Sequence, residues 1–102
     1  MNKYLFDGHL VTDPEAKDLK NSTVVKFNVR NVEGFKMPSG ETSEAVLYLN
    51  CEAWGRLGDQ AIRDLKKGDR GNFEGKFVIE KWTEHGEKKV RYLVKLSGYE
   101  KI

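Results

Sequence analysis

The sequence predicts an all-β domain, a five-stranded Greek-key barrel with one short helix between the third and fourth strands. Three observations predict it. Apolar and polar residues alternate with period two over five separate stretches, as in strands with one face in a core. One stretch, Asp59–Lys67, carries helical spacing instead, and it follows the third of these. Ten glycines are spread along the chain, as expected where turns and bulges bend long strands.

The first predicted strand is Tyr4–Val11. Tyr4, Phe6 and Leu10 share one phase, Leu5 and Val11 the other, so both faces are expected to be covered, by barrel closure or by a second subunit. Gly8 in its middle marks a bulge or a close backbone approach. Thr12-Asp13-Pro14-Glu15 ends it with turn chemistry, and Ala16–Ser22 reads as a polar connector. The second strand is Thr23–Asn31. Val25, Phe27 and Val29 face inward, and Lys26, Asn28 and Arg30 form a basic stripe outside. Val32–Ser43, with Gly34, Phe35, Lys36, Pro38 and Gly40, reads as a long mobile connection.

The third strand, Glu44–Trp54, puts Leu47, Leu49, Cys51 and Ala53 on the core side. Tyr48, Asn50, Glu52 and Trp54 then stand on the face that meets water. After a turn at Gly55–Gly58, the helix Asp59–Lys67 begins with Asp59 as N-cap or first-turn acid. Ala61, Ile62 and Leu65 form its apolar face, Lys66 and Lys67 its C-terminal end, and Gly68 its C′ residue. The fourth strand, Arg70–Trp82, carries Phe73, Phe77 and Ile79 in one phase and bends at Gly75. Thr83–Lys88 is a hairpin tip centred on Gly86. The fifth strand, Lys89–Tyr99, sets Val90, Tyr92, Val94 and Leu96 against Arg91, Leu93 and Lys95. Three strands, a helix that plugs the barrel end, then two strands is the order of an OB-fold. An SH3-like barrel has no use for a helix there.

Composition excludes several functions. The chain has 102 residues, enough for one domain, Met1–Ile102, with 38% hydrophobic and 33% charged residues. No run approaches the roughly 18 apolar residues of a membrane span, and the N-terminus lacks an apolar signal region. One cysteine permits no internal disulfide, which points to a reducing compartment. Cys51 reads as a buried structural thiol. The two histidines, His9 and His85, lie in different elements, so no metal site and no catalytic constellation is expected, and no cofactor. The net charge of +2 does not by itself announce nucleic acid.

What remains is aromatics interleaved with cations on the faces that do not fill the core. Tyr48, Trp54, Trp82 and Phe35 are the rings. Lys26, Arg30, Lys36, Arg56, Lys76, Lys81, Lys88, Lys89 and Arg91 are the neighbouring charges. Rings stack on bases at about 1–3 kcal/mol each and cations track phosphates, so this pattern suits single-stranded nucleic acid. Duplex reading fits less well, since no helix is free to enter a groove.

Motifs then point to a family. NKYLFDGHLVTDPE resembles the opening of the bacterial-type single-stranded DNA-binding proteins, with Gly8, Leu10 and Asp13-Pro14-Glu15 in the family's Gly-x-Leu and Asp-Pro-Glu positions. CEAWGRLGDQAIRDLKKGDR resembles their aromatic-Gly-Lys/Arg-Leu segment, helix and Leu-x-Lys-Gly turn. FEGKFVIEKWTEHGEKKVRY resembles their Gly-x-Leu strand, with Phe77 for the leucine, followed by the tryptophan hairpin and final strand. The likeness runs from Asn2 to about Leu96. It implies an OB barrel in a homo-oligomer, a tetramer or else a dimer. It also implies DNA contacts at Tyr48, Trp54, Trp82 and Arg56, with Phe35 the nearest match to a further loop tryptophan. The chain ends at Tyr99-Glu100-Lys101-Ile102 with neither a Gly/Pro/Gln-rich linker nor an acidic tip, so recruitment of replication proteins through such a tip is not expected.

The expected function is sequence-tolerant binding of single-stranded DNA, protecting exposed strands during replication, recombination or repair, without catalysis. The alternative is an OB-fold adaptor of a replication-restart (primosomal) complex that binds nucleic acid weakly. The expected location is the cytoplasm at the nucleoid, or an organelle or a host cytoplasm if the source is organellar or phage.

Overall fold

A computed structural model describes residues 1–102. It contains β1 (Tyr4–Leu10), β2 (Glu15–Leu19), β3 (Ser22–Lys36), β4 (Thr42–Trp54), α1 (Gly55–Asp64), β5 (Arg70–Glu84) and β6 (Glu87–Lys101). The strands pair in the order β1-β5-β6-β4-β3, and β1 also pairs with β3, so five strands close into a barrel. All pairings are antiparallel except β4 with β6, which run parallel at Cys51–Val94 and Glu52–Lys95. This is the closed Greek-key barrel read from the sequence.

The barrel closes because one phase of each strand is apolar at its level. Leu10, Val25, Phe27, Val29, Leu49, Cys51, Ala53, Phe73, Val94 and Leu96 form the core, and Ala61 of α1 with Leu65 just after it covers one end. Each large side chain buried here contributes about 1.5–3 kcal/mol. Gly58 lets the helix sit close, since a Cβ there would press on the Ala53 carbonyl and the Val25 side chain. Gly8 is a close approach rather than a bulge, because a Cβ would strike the Arg30 carbonyl. The irregularity in register lies at Glu74/Gly75, where β5 bends against β6.

Several elements differ from the sequence reading, each for a physical reason. The polar connector is largely strand: Glu15–Leu19 pairs with Ser22–Lys26, on the edge of β3 that β1 reaches farther along. All five residues of β2 are exposed, so backbone hydrogen bonds hold it and no hydrophobic alternation betrays it. Four strands, not three, therefore precede the helix. The long connection is likewise paired from Val32–Lys36 to Thr42–Val46, leaving a turn of only a few residues at its tip. It is not the mobile loop expected.

The helix starts and ends earlier than expected. Its N-cap is Trp54, with no side-chain cap, so Asp59 lies in its second turn. Its C-cap is Leu65, and Gly68 lies in the turn beyond with φ +93°. Ile62 stays exposed beside buried Ala61 and Leu65. Leu47, Phe77, Ile79, Val90 and Tyr92 also remain exposed, although their phase is that of the core. The β3–β4 and β5–β6 hairpins outrun the barrel as two arms, and apolar residues on the arms have no core to enter. The arms give the molecule its 54 × 39 × 28 Å extents. The β5–β6 arm ends in a two-residue turn with His85 at φ 50° and Gly86 at φ 78°, the left-handed pair of a type I′ hairpin.

Candidate nucleic-acid interface

Pairing register determines which outward side chains share a face. Residues opposite each other on neighbouring strands point the same way. Arg30 faces Tyr48, Asn28 faces Asn50, and Lys26 faces Glu52 across β3 and β4. Glu52 lies beside Lys95 across β4 and β6. Lys95 faces Lys76, Leu93 faces Val78, Arg91 faces Glu80, and Lys89 faces Trp82 across β6 and β5. One continuous outer face therefore carries Tyr48, Trp54 and Trp82 together with Lys26, Arg30, Lys76 and Arg91. Tyr48 is 66% exposed, Trp54 39% and Trp82 41%, so each ring offers a surface while keeping contact with the sheet.

One ion network and a pair of free lysines set the charge on this face. Glu52, at 4% exposed, is buried on this face. Its Oε2 lies 3.2 Å from Arg91 Nη2 and 3.8 Å from Lys26 Nζ, and its Oε1 accepts a 3.2 Å hydrogen bond from Trp54 Nε1. Arg91 also pairs with Glu80 at 2.9 Å. Arg30, Lys76 and Lys95 form no ion pair, and Lys76 stands directly opposite Lys95. Like charges in that position are unfavourable unless an anion lies between or above them. At the centre is a groove of about 340 Å³ whose lining includes Lys26, Asn28, Asn50, Glu52, Arg91 and Leu93.

The other expected contacts are placed differently. Arg56 sits in the first turn of α1, two residues after Trp54, where its charge adds to the positive end of the helix dipole. Phe35 faces Ser43, in the phase of Phe27 and Val29, so it turns to the opposite side of its arm from Arg30 and Tyr48. Lys81 faces Val90 and Lys88 faces Thr83, which puts both on the reverse side of the β5–β6 arm from Trp82. Proximity in sequence to Trp82 suggested them, but period two separates them. Lys95 was missed as a contact, although its phase with Arg91 was legible. The burial of Glu52 was not legible, because it depends on β6 lying beside β4.

Between Lys81 and the barrel, the reverse side of the β5–β6 arm is apolar. Tyr4, Phe77 and Tyr92 form a ladder with ring centroids 5.6 and 6.3 Å apart, and Ile79 and Val90 extend it at about half exposure. Tyr4 to Gly8 of β1 pair with β5 only, and no strand pairs with their other backbone edge, where the Asn31 amide donates to the Asp7 carbonyl at 2.9 Å.

Comparisons with known proteins bear on the family and the fold. The model of the Single-strand binding protein family matches residues 1–100. Single-stranded DNA-binding protein 1 of Chlorobaculum tepidum is 36% identical over 92 residues, covering 87% of this chain and 57% of that protein. The single-stranded DNA-binding protein of Wolinella succinogenes is 30% identical over 95 residues, covering 91% of this chain and 59% of that protein. The chain thus spans less than two thirds of the length of these relatives. Among solved structures, the Plasmodium falciparum SSB in complex with ssDNA superposes with a TM-score of 0.91 at 19% identity, over 100% of this chain and 95% of that one. At that identity the likeness shows the fold, an OB barrel.

Proposed function

From the premise that this chain belongs to the single-strand binding protein family, whose members bind DNA and are not enzymes, we propose how it engages its strand. Single-stranded DNA lies along the outer face of β3, β4, β6 and β5. Bases stack on Tyr48, Trp54 and Trp82, and phosphates meet Arg30, Lys76, Lys95, Lys26, Arg91 and Arg56. Phe35, Lys81 and Lys88 face away and are left out of this contact set. The observation that carries the reading is the facing pair Lys76 and Lys95, unpaired beside three exposed rings on one face. Sequence tolerance follows, because every base has a flat face and every nucleotide a phosphate. The role is protection of exposed strands during replication, recombination or repair. The adaptor alternative has no observation of its own in its favour.

We also propose that the chain works as a homo-oligomer, a tetramer or else a dimer. The edge of β1 that no strand pairs with and the apolar ladder beside it support this, since both would be covered by a second copy.

Titration of tryptophan fluorescence with oligo-dT at two salt concentrations tests the binding. Quenching should saturate at low salt and weaken at high salt through counterion release. An unchanged signal at low salt would overturn the reading.

A further inference from the structure

Glu52 presents a paradox for the binding face. A carboxylate at the centre of a surface that receives phosphates should oppose binding, yet this one is buried there rather than displayed. Its side chain is 6% exposed and both oxygens are occupied. Oε1 accepts from the Trp54 indole, and Oε2 faces the two cations Arg91 and Lys26. Leu93, itself 2% exposed, also lines the groove between these groups. The carboxylate therefore cannot turn outward without abandoning three partners.

The indole has few other constraints. Trp54 ends β4 and caps α1, at the point where the sheet gives way to the helix, and it is 39% exposed. A half-exposed ring at a strand end has rotamer freedom, and a ring that stacks on a base must surrender it. A hydrogen bond from Nε1 to a buried, immobile acceptor removes that freedom before DNA arrives. The same device recurs on the arm, where Trp82 Nε1 donates to Glu84 Oε2 at 3.3 Å, again two residues away on one strand face. Glu84 is exposed, so it holds its ring less firmly.

We propose that Glu52 is a positioning residue for strand binding. It orients the Trp54 indole as a stacking surface and holds Arg91 and Lys26 at its flank, and this ordering outweighs the repulsion of its own charge. The inference rests on the reading of this face as a single-strand binding surface. Charge alone predicts the opposite sign, because deleting a carboxylate from a phosphate-binding face favours binding.

Three substitutions, two of them also combined, decide between them, with oligo-dT affinity measured by fluorescence anisotropy of a labelled strand. Glu52→Val should weaken binding about tenfold, within what one stacked base is worth. Glu52→Gln keeps the volume and one acceptor oxygen, and should recover most of that loss. Trp54→Phe keeps a ring but removes the indole donor, and in that background Glu52→Val should cost less than half of what it costs in the native chain, the remainder being the share of Arg91 and Lys26. Equal or tighter binding by Glu52→Val overturns the proposal. So does an equal loss in both backgrounds, which would mark a structural role. Should Glu52→Val fail to fold, the native chain still decides. The Trp54 indole N–H should exchange with solvent more slowly than that of Trp82 in free protein, and equal exchange would overturn the proposal. If the native chain itself does not bind oligo-dT, the surface reading fails. If it binds without coupling between Glu52 and Trp54, only this inference fails.

Discussion

Single residues carry the stacking and the charge. Trp82→Ala should weaken oligo-dT binding by about 1–3 kcal/mol while leaving the melting temperature close to that of the native chain, since the ring lies on an arm outside the core. Lys76→Ala and Lys95→Ala should each reduce the slope of log affinity against log salt by about 0.7, one phosphate contact apiece. Burial pushes the Cys51 thiol up to about 12. Iodoacetamide at pH 8 should therefore spare it in native protein and modify it in denaturant, as mass spectrometry would show. Burial first, and the hydrogen bond that Tyr99 donates to Asp64 second, push the Tyr99 phenol up to about 12. That value lies above the ordinary phenol near 10, so the neutral ring supports the fold below pH 10 and the support is lost as pH rises from 10 to 12. Tyr99→Phe should flatten that decline in urea midpoints, after an initial loss of about 1 kcal/mol for the hydrogen bond.

At the scale of elements, period two exposed the barrel strands and concealed the arms. Alternation reports a face that meets a core, so Thr23–Asn31 was legible and Glu15–Leu19, exposed on both faces, was not. Phe77 and Ile79 misled for the converse reason: their phase is right, but the barrel ends below them. Turn chemistry was legible at Gly86 because a type I′ hairpin needs positive φ. His85 at φ 50° is the weak half of that turn, and His85→Asn should raise stability by a few tenths of a kcal/mol, up to about 1, in thermal melts. Gly75 has no such tolerance. A Cβ there would strike the Lys95 carbonyl and the Leu96 backbone at the bend, so Gly75→Ala should cost about 1–3 kcal/mol.

The whole molecule is a small barrel with two long arms, and it presents two unlike faces. One carries rings, cations and a buried carboxylate. The other carries the Tyr4, Phe77 and Tyr92 ladder with Ile79 and Val90. Exposed apolar area of that kind marks interaction sites, and a second copy is the occupant proposed above. Light scattering should report a tetramer or dimer, and Ile79→Glu should shift it toward monomer without unfolding the barrel. A native chain that stays monomeric at micromolar concentration would contradict the proposed assembly.

The alternation of core residues, the helix between the third and fourth core strands, and the aromatic and basic content of the outward phases were determined by the sequence alone. These are local properties, since a strand's two faces and a helix's spacing are written within a few residues. Which outward residues share one surface was decided only by the tertiary structure. Parallel pairing of β4 with β6 brings Arg91 to Glu52, and it carries the face from Tyr48 through Trp54 to Trp82. Phe35, Lys81 and Lys88 are turned away by something more local, the period-two alternation within each hairpin. Register between strands distant in sequence depends on barrel closure, and no window of the chain contains it.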